Sequence, residues 1–108
     1  MKSSLYCITD TKANRTTEPF SCPTDEVAKR NFLFGCFASD TPPQDCILWK
    51  IADFHVDEDD SSVFSLNALN GGFKVLNPSI EEIEAYHKIF LKMNPSEDFE
   101  EFQDKGVI

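Results

Sequence analysis

The run Cys46-Ile47-Leu48-Trp49-Lys50-Ile51-Ala52-Asp53-Phe54-His55-Val56 constrains this chain more than any other segment. It holds no glycine or proline and is rich in β-branched and aromatic residues, which predicts one long strand. Strict alternation places Ile47, Trp49 and Ile51 on one face and Leu48, Ala52, Phe54 and Val56 on the other. A strand that is apolar on both faces belongs in the middle of a sheet. The following Asp57-Glu58-Asp59-Asp60-Ser61-Ser62 reads as a charged turn, and Val63-Phe64-Ser65-Leu66 as the returning strand of a hairpin.

The remaining elements arrange themselves around that hairpin. Leu5 to Thr9 reads as a first strand, and residues 10–17 as a polar turn. Glu18 to Ser21 reads as a short second strand that Pro19 confines to an edge or a strand start. Thr24 can cap a helix whose first turn holds Asp25 and Glu26, both suited to the positive helix end. That helix runs through Val27, Ala28, Phe32, Cys36 and Phe37, with Leu33 and Phe34 widening the apolar stripe and Gly35 weakening it. Pro42-Pro43 marks a loop, Asn70-Gly71-Gly72 a turn, and Phe73 to Leu76 a further short strand. Ser79 followed by Glu82 is the capping-box pattern, opening a second helix with Ile80, Ile83, His87, Phe90 and Leu91 on one face. In that helix Glu84 and Lys88 stand at the favourable four-residue spacing. Asn94-Pro95 ends that helix and starts a short third one carrying Phe99 and Phe102. The expectation is a single α+β domain. Residues 1–78 form a small antiparallel sheet with one helix packed on a face, and residues 79–108 an acidic extension of two C-terminal helices.

Charge bounds the function. Ten basic and nineteen acidic side chains leave a net charge of −9. Residues 1–54 carry six basic and seven acidic groups, a net of −1, whereas residues 55–108 carry four and twelve, a net of −8. A basic sleeve around nucleic acid is excluded, and any anion-binding surface must lie in the first half. Lys2, Lys12, Arg15, Lys29, Arg30 and Lys50 are its candidates, against the plain alternative of solvated surface charge. Tyr6, Phe20, Trp49 and Phe54 could stack on single-stranded bases beside Lys12, Arg15 and Lys50. The competing reading places these rings in the core, with Trp49 the clearest case.

Catalytic and metal chemistry find no positive signal. Cys7, Cys22, Cys36 and Cys46 have no close pair of the zinc-binding kind, and reduced buried thiols are expected. The acidic run 57–60 fails the calcium-loop pattern, since Ser62 and Ala68 stand where glycine and glutamate are needed. It reads as a solvated turn, with a metal-dependent nuclease using Asp57, Asp59 and Asp60 as the weaker alternative. His55 beside this run could respond to pH, and His87 reads as a core or interface residue. No Gly-rich phosphate loop, nucleophile elbow or zinc helix motif occurs, so no enzymatic activity and no cofactor are expected. The short apolar run after Met1 stops at Asp10, and no stretch reaches the roughly 18 apolar residues of a membrane span. Neither secretion nor membrane insertion is expected.

Four motifs then fall in order over about residues 4–58. A strand leads into Asp10-Thr11-Lys12-Ala13, followed by Pro19-Phe20, by Ala28-Lys29-Arg30-Asn31-Phe32, and by Leu48-Trp49-Lys50-Ile51-Ala52-Asp53-Phe54. This ordered set resembles the small nonstructural protein of gokushoviruses, microvirus-type phages with circular single-stranded DNA genomes. The resemblance implies a cytoplasmic protein of the host bacterial cell acting in single-stranded genome synthesis or packaging, with single-stranded DNA as a partner. Lys12, Arg15, Lys29, Arg30 and Lys50, with Tyr6 and Phe20, would form the contact. The family commonly ends soon after the acidic hairpin, so residues 79–103 are an addition. The alternative function is an acidic protein-binding or DNA-mimic inhibitor of a host defence or replication protein. In either case the acidic half could engage a phage or host protein, and ten Phe leave room for a homodimer.

Overall fold

The computed structural model describes residues 2–94. Nine elements follow in order: β1 (Lys2–Asp10), β2 (Arg15–Thr16), β3 (Phe20–Cys22), α1 (Asp25–Ala38), a 3-10 turn (Pro43–Asp45), β4 (Cys46–Val56), β5 (Phe64–Ala68), β6 (Lys74–Val75) and α2 (Ile80–Met93). β1 and β4 pair antiparallel along their whole length and form the spine of a curled six-stranded sheet. β2 and β3 share the outer edge of β1, and β5 and β6 share the outer edge of β4. The long strand takes the bounds and the central position read from its composition. β2 was not expected, because its two residues lie inside the segment that reads as a turn.

One irregularity changes which side chains face the core. Tyr6 lies opposite Lys50 but Leu5 lies opposite Ala52, so Ile51 is an extra residue in β4. Such a bulge reverses the alternation beyond it. Ile47 and Trp49 therefore share a face with Ala52, Phe54 and Val56, while Leu48 points to the other side with Tyr6 and Ile8. The expected division of this strand into two alternating sets is corrected: Ala52, Phe54 and Val56 do not lie on the face of Leu48.

The helix side of the sheet holds the core. Thr24 Oγ1 accepts the Val27 N–H and caps α1. α1 then presents Ala28, Phe32, Leu33 and Cys36 to Tyr6, Cys22, Cys46 and Leu48, all buried. The spacing 28, 32, 36 with 33 is one helical stripe. Asn77 completes the edge of β4 beyond β6. Its side-chain oxygen accepts the Leu48 N–H, its amide donates to the Cys46 carbonyl, and the Leu76 N–H donates to the Leu48 carbonyl.

α2 opens with the expected capping box, Ser79 and Glu82 each satisfying the other's backbone N–H. It packs on α1 rather than on the sheet. Tyr86 and Phe90 meet Phe34, while His87 and Phe90 meet Phe37. Because one helix is its neighbour, α2 is half-buried only along a narrow seam through Glu82, Ile83, Tyr86 and Phe90. Ile80 and Leu91, expected on the packed face, are more than half exposed, and Tyr86 takes their place. α2 is the one C-terminal helix among the described residues. The expected third helix, with Phe99 and Phe102, lies outside them.

Leu48 is fully buried between the bulk of α1 and the sheet. Leu48→Ala should lower stability by about 3 kcal/mol in urea unfolding, within the range for buried leucines that leave a cavity. Ile80→Ala, on the exposed start of α2, should change it by less than about 0.5 kcal/mol.

Candidate nucleic-acid interface

Lys2 stands apart at the start of β1, and the other five basic residues of the first half divide into two groups. Lys50 and Lys29 belong to the framework. Tyr6 Oη donates to Asp25 Oδ1 at 2.8 Å, and Lys50 Nζ stands 3.1 Å from the same oxygen. This links β1, the first turn of α1 and β4. Burial alone would push the Asp25 carboxyl up, but the Tyr6 hydroxyl and the Lys50 ammonium hold it below the usual carboxylate range. Lys29 Nζ lies 3.5 Å from Glu26 and 3.4 Å from Glu82, tying α1 to α2. Burial would lower its pKa, but the two carboxylates keep it above its ordinary value. Glu82 in turn is held low by the Ser79 N–H first and by Lys29 second.

Lys12, Arg15 and Arg30 form the second group. Among the described residues they make no ion pair, and all three are exposed. The Asp10 carboxylate accepts the N–H groups of Lys12 and Ala13, and Asn14 takes a left-handed conformation with φ 56°. This tight turn presents Lys12 and feeds Arg15 into β2 opposite Asp10. Thr17 closes the strand pair by exchanging hydrogen bonds with the backbone of Ile8.

Three adjoining depressions run from this turn across to α1. The first, about 210 Å³, is lined by Ile8, Asp10, Ala13, Arg15, Thr16 and Thr17. The second, about 190 Å³, shares Ile8 and Asp10 with it and continues along Asn31, Gly35, Ser39 and Thr41. The third, about 520 Å³, shares Asn31 with the second and holds Arg30, Phe34, Tyr86, Ile89 and Met93. Through these shared residues the three adjoin as a shallow groove; Arg15 lines its first part and Arg30 its third, while Lys12 stands on the turn and lines none of it. Thr16 and Thr17 line the first depression beside Arg15 and Asn31 lines the other two; isolated polar residues such as these carry no spacing signal in the sequence.

The stacking candidates separate by burial. Tyr6 is 0% exposed and its ring leans on Phe20 at 5.9 Å, so it has no open face for a base. Phe20 is half-buried on the same edge of β1 as Arg15 and keeps part of its ring accessible. Trp49 is not enclosed in the core. It lies half-buried on the face turned away from the helices, where its indole N–H donates to Thr9 Oγ1. Phe54 lies on that face too, beside Phe64 at 5.8 Å.

The acidic run organises its own turn. Asp57 accepts the N–H groups of Asp59 and Asp60, and Asp60 accepts the N–H and hydroxyl of Ser62, which lower its pKa. Among the described residues no group of three or more His, Cys, Asp or Glu side chains is placed to hold a metal ion. All four cysteines are free and buried. Burial, with Cys46 adjacent, pushes the Cys36 thiol up to about 12, far from the reactive range. No helix of the described residues is long and apolar enough to cross a membrane.

The Tyr6 hydroxyl is held protonated first by burial and then by Asp25, so its pKa is raised. An unfolded tyrosine ionises near pH 10, so the contribution of Tyr6 is intact below about pH 10 and is lost as pH rises above it. Tyr6→Phe should remove this alkaline loss and cost about 1 kcal/mol at neutral pH, because Asp25 loses a donor but keeps Lys50 and access to water. Urea unfolding repeated between neutral pH and pH about 11 measures both effects.

No curated protein and no solved structure matches this chain. Residues 3–69 match the family described as phage ORF5 protein, a span that takes in β1 to β5 and α1 and leaves β6 and α2 outside it. With well over half of its 108 residues in that match, the chain belongs to the phage ORF5 protein family.

Proposed function

We propose that this phage protein is a non-enzymatic factor that holds single-stranded DNA during genome synthesis or packaging, seating the strand along the groove from Lys12 and Arg15 to Arg30. The observation that carries this reading is that Arg15 and Arg30, neither of them ion-paired among the described residues, line the first and third of three adjoining depressions, with Lys12 on the turn beside the first, in an otherwise acidic chain. Each cation can neutralise one phosphate and release its condensed counterions. Thr16, Thr17 and Asn31 add neutral hydrogen-bonding groups between them, and the exposed part of Phe20 offers a ring for a base. Asp10 lies within the groove too; its Oδ1 accepts two backbone N–H groups, and its charge opposes a phosphate at that point. Lys29 and Lys50 act by holding the groove walls in place. The resemblance to gokushovirus nonstructural proteins supports the same role.

With three phosphate contacts on a chain of net charge −9, binding should be weak and strongly salt-dependent. Fluorescence anisotropy of a labelled single-stranded oligonucleotide should give a log–log salt slope of about −2, three contacts at about 0.7 each. Arg15→Glu combined with Arg30→Glu should abolish binding while leaving the urea midpoint unchanged. Lys50→Glu should instead lower the midpoint, since Lys50 holds Asp25. Absence of binding at low salt would overturn the proposal and favour a phage or host protein engaging the acidic half.

A further inference from the structure

β5 ends the sheet, and no strand of the described residues pairs with its outer edge. Its sequence Phe64-Ser65-Leu66-Asn67-Ala68 has no charge and no proline, the features that ordinarily keep an edge strand from pairing. Around it Val63, Phe64, Leu66, Phe73 and Val75 are all more than half exposed. We propose that β5 pairs antiparallel with β5 of a second copy of this chain about a two-fold axis at Leu66, joining two sheets into one.

The backbone ladder selects this register. The Asp57 N–H donates to the Val63 carbonyl across the hairpin, and the pairs His55–Ser65 and Asp53–Asn67 continue the same register. Hydrogen-bonded pairs alternate along an antiparallel ladder, so Ser65 and Asn67 turn their backbone groups toward β4. Phe64, Leu66 and Ala68 turn theirs outward. A two-fold axis at Leu66 sets Leu66 against its own copy and Phe64 against Ala68, which satisfies every outward N–H and C=O of the strand. The side chains agree with it. Phe64, Leu66 and Ala68 continue the apolar face of Trp49 and Phe54 across the junction, and Ser65 meets Asn67 on the other face.

Charge supports a second copy as the occupant. Antiparallel pairing sends the two acidic turns 57–60 to opposite ends of the junction, a strand length of about 17 Å or more apart, beyond the screening length at physiological salt. Each turn then runs past Ala68 of the other copy toward β6, where Lys74 is exposed. The acidic turn of one copy meets a lysine of the other.

Sedimentation equilibrium of the full chain at low and high micromolar concentration should give twice 12.3 kDa at the upper end. Hydrogen exchange should show the amides of Phe64, Leu66 and Ala68 protected in the dimer and exposed on dilution. Leu66→Pro removes an N–H that β4 does not use, so the monomer should stay folded while the dimer weakens at least about tenfold. Leu66→Lys, which sets two ammonium groups face to face, should do the same, and Lys74→Glu should weaken the dimer several-fold. A monomer at every concentration would overturn the proposal. So would a dimer in which these three amides exchange freely, or one that both Leu66 variants leave intact.

Discussion

The hydrogen bond from Tyr6 to Asp25, shared with Lys50, is the junction on which the rest of the molecule depends. It joins the two central strands to the first turn of α1, and it does so at the edge of the apolar layer rather than inside it. A carboxylate there would be costly to bury alone. With a hydroxyl and an ammonium on it, the charge is compensated and the helix start is fixed in position. Below it the stripe from Ala28 to Cys36 falls onto Leu48 and Cys46. Above it Lys29 reaches Glu82, so the placement of α2 follows from the placement of α1.

The local signals in the sequence were reliable where a few adjacent residues set the outcome. Thr24 capped α1, Ser79 and Glu82 closed a capping box, and the long apolar run formed the central strand. The failures were tertiary. A bulge at Ile51 depends on how β1 meets β4, and no residue type announces it. The face of α2 was misread because its width is set by its neighbour, a single helix. From its place on a strand Tyr6 could be a stacker or a core ring, and the partner that sets its burial, Asp25, lies nineteen positions away. At the candidate interface, all five cations were visible as charges. Which of them were already engaged was not, because Glu82 and Asp25 reach Lys29 and Lys50 through the fold.

The span shared with the phage ORF5 family contains the spine, the hairpin, α1 and the turn that carries Lys12 and Arg15. α2 lies beyond it, yet supplies Tyr86, Ile89 and Met93 to the wide end of the groove and Glu82 to Lys29. The extension thus acts as a wall and a brace on the shared part of the fold. It deepens one end of an existing groove while adding acidic groups on its exposed side.

Asn77 has a role that extends past its two hydrogen bonds. By accepting the Leu48 N–H and donating to the Cys46 carbonyl, its side chain fills the edge of β4 where β6 stops. The margin of β4 is thereby filled at its start, leaving β5 as the longest uncovered strand on that side of the sheet, with the two-residue β6 beside it. The opposite margin consists of β2 and β3, only two and three residues long, which offer a neighbour few backbone groups. A five-residue border at one margin, with only short strands at the other, favours one pairing over repeated growth, and Asn77 keeps the start of β4 out of that border.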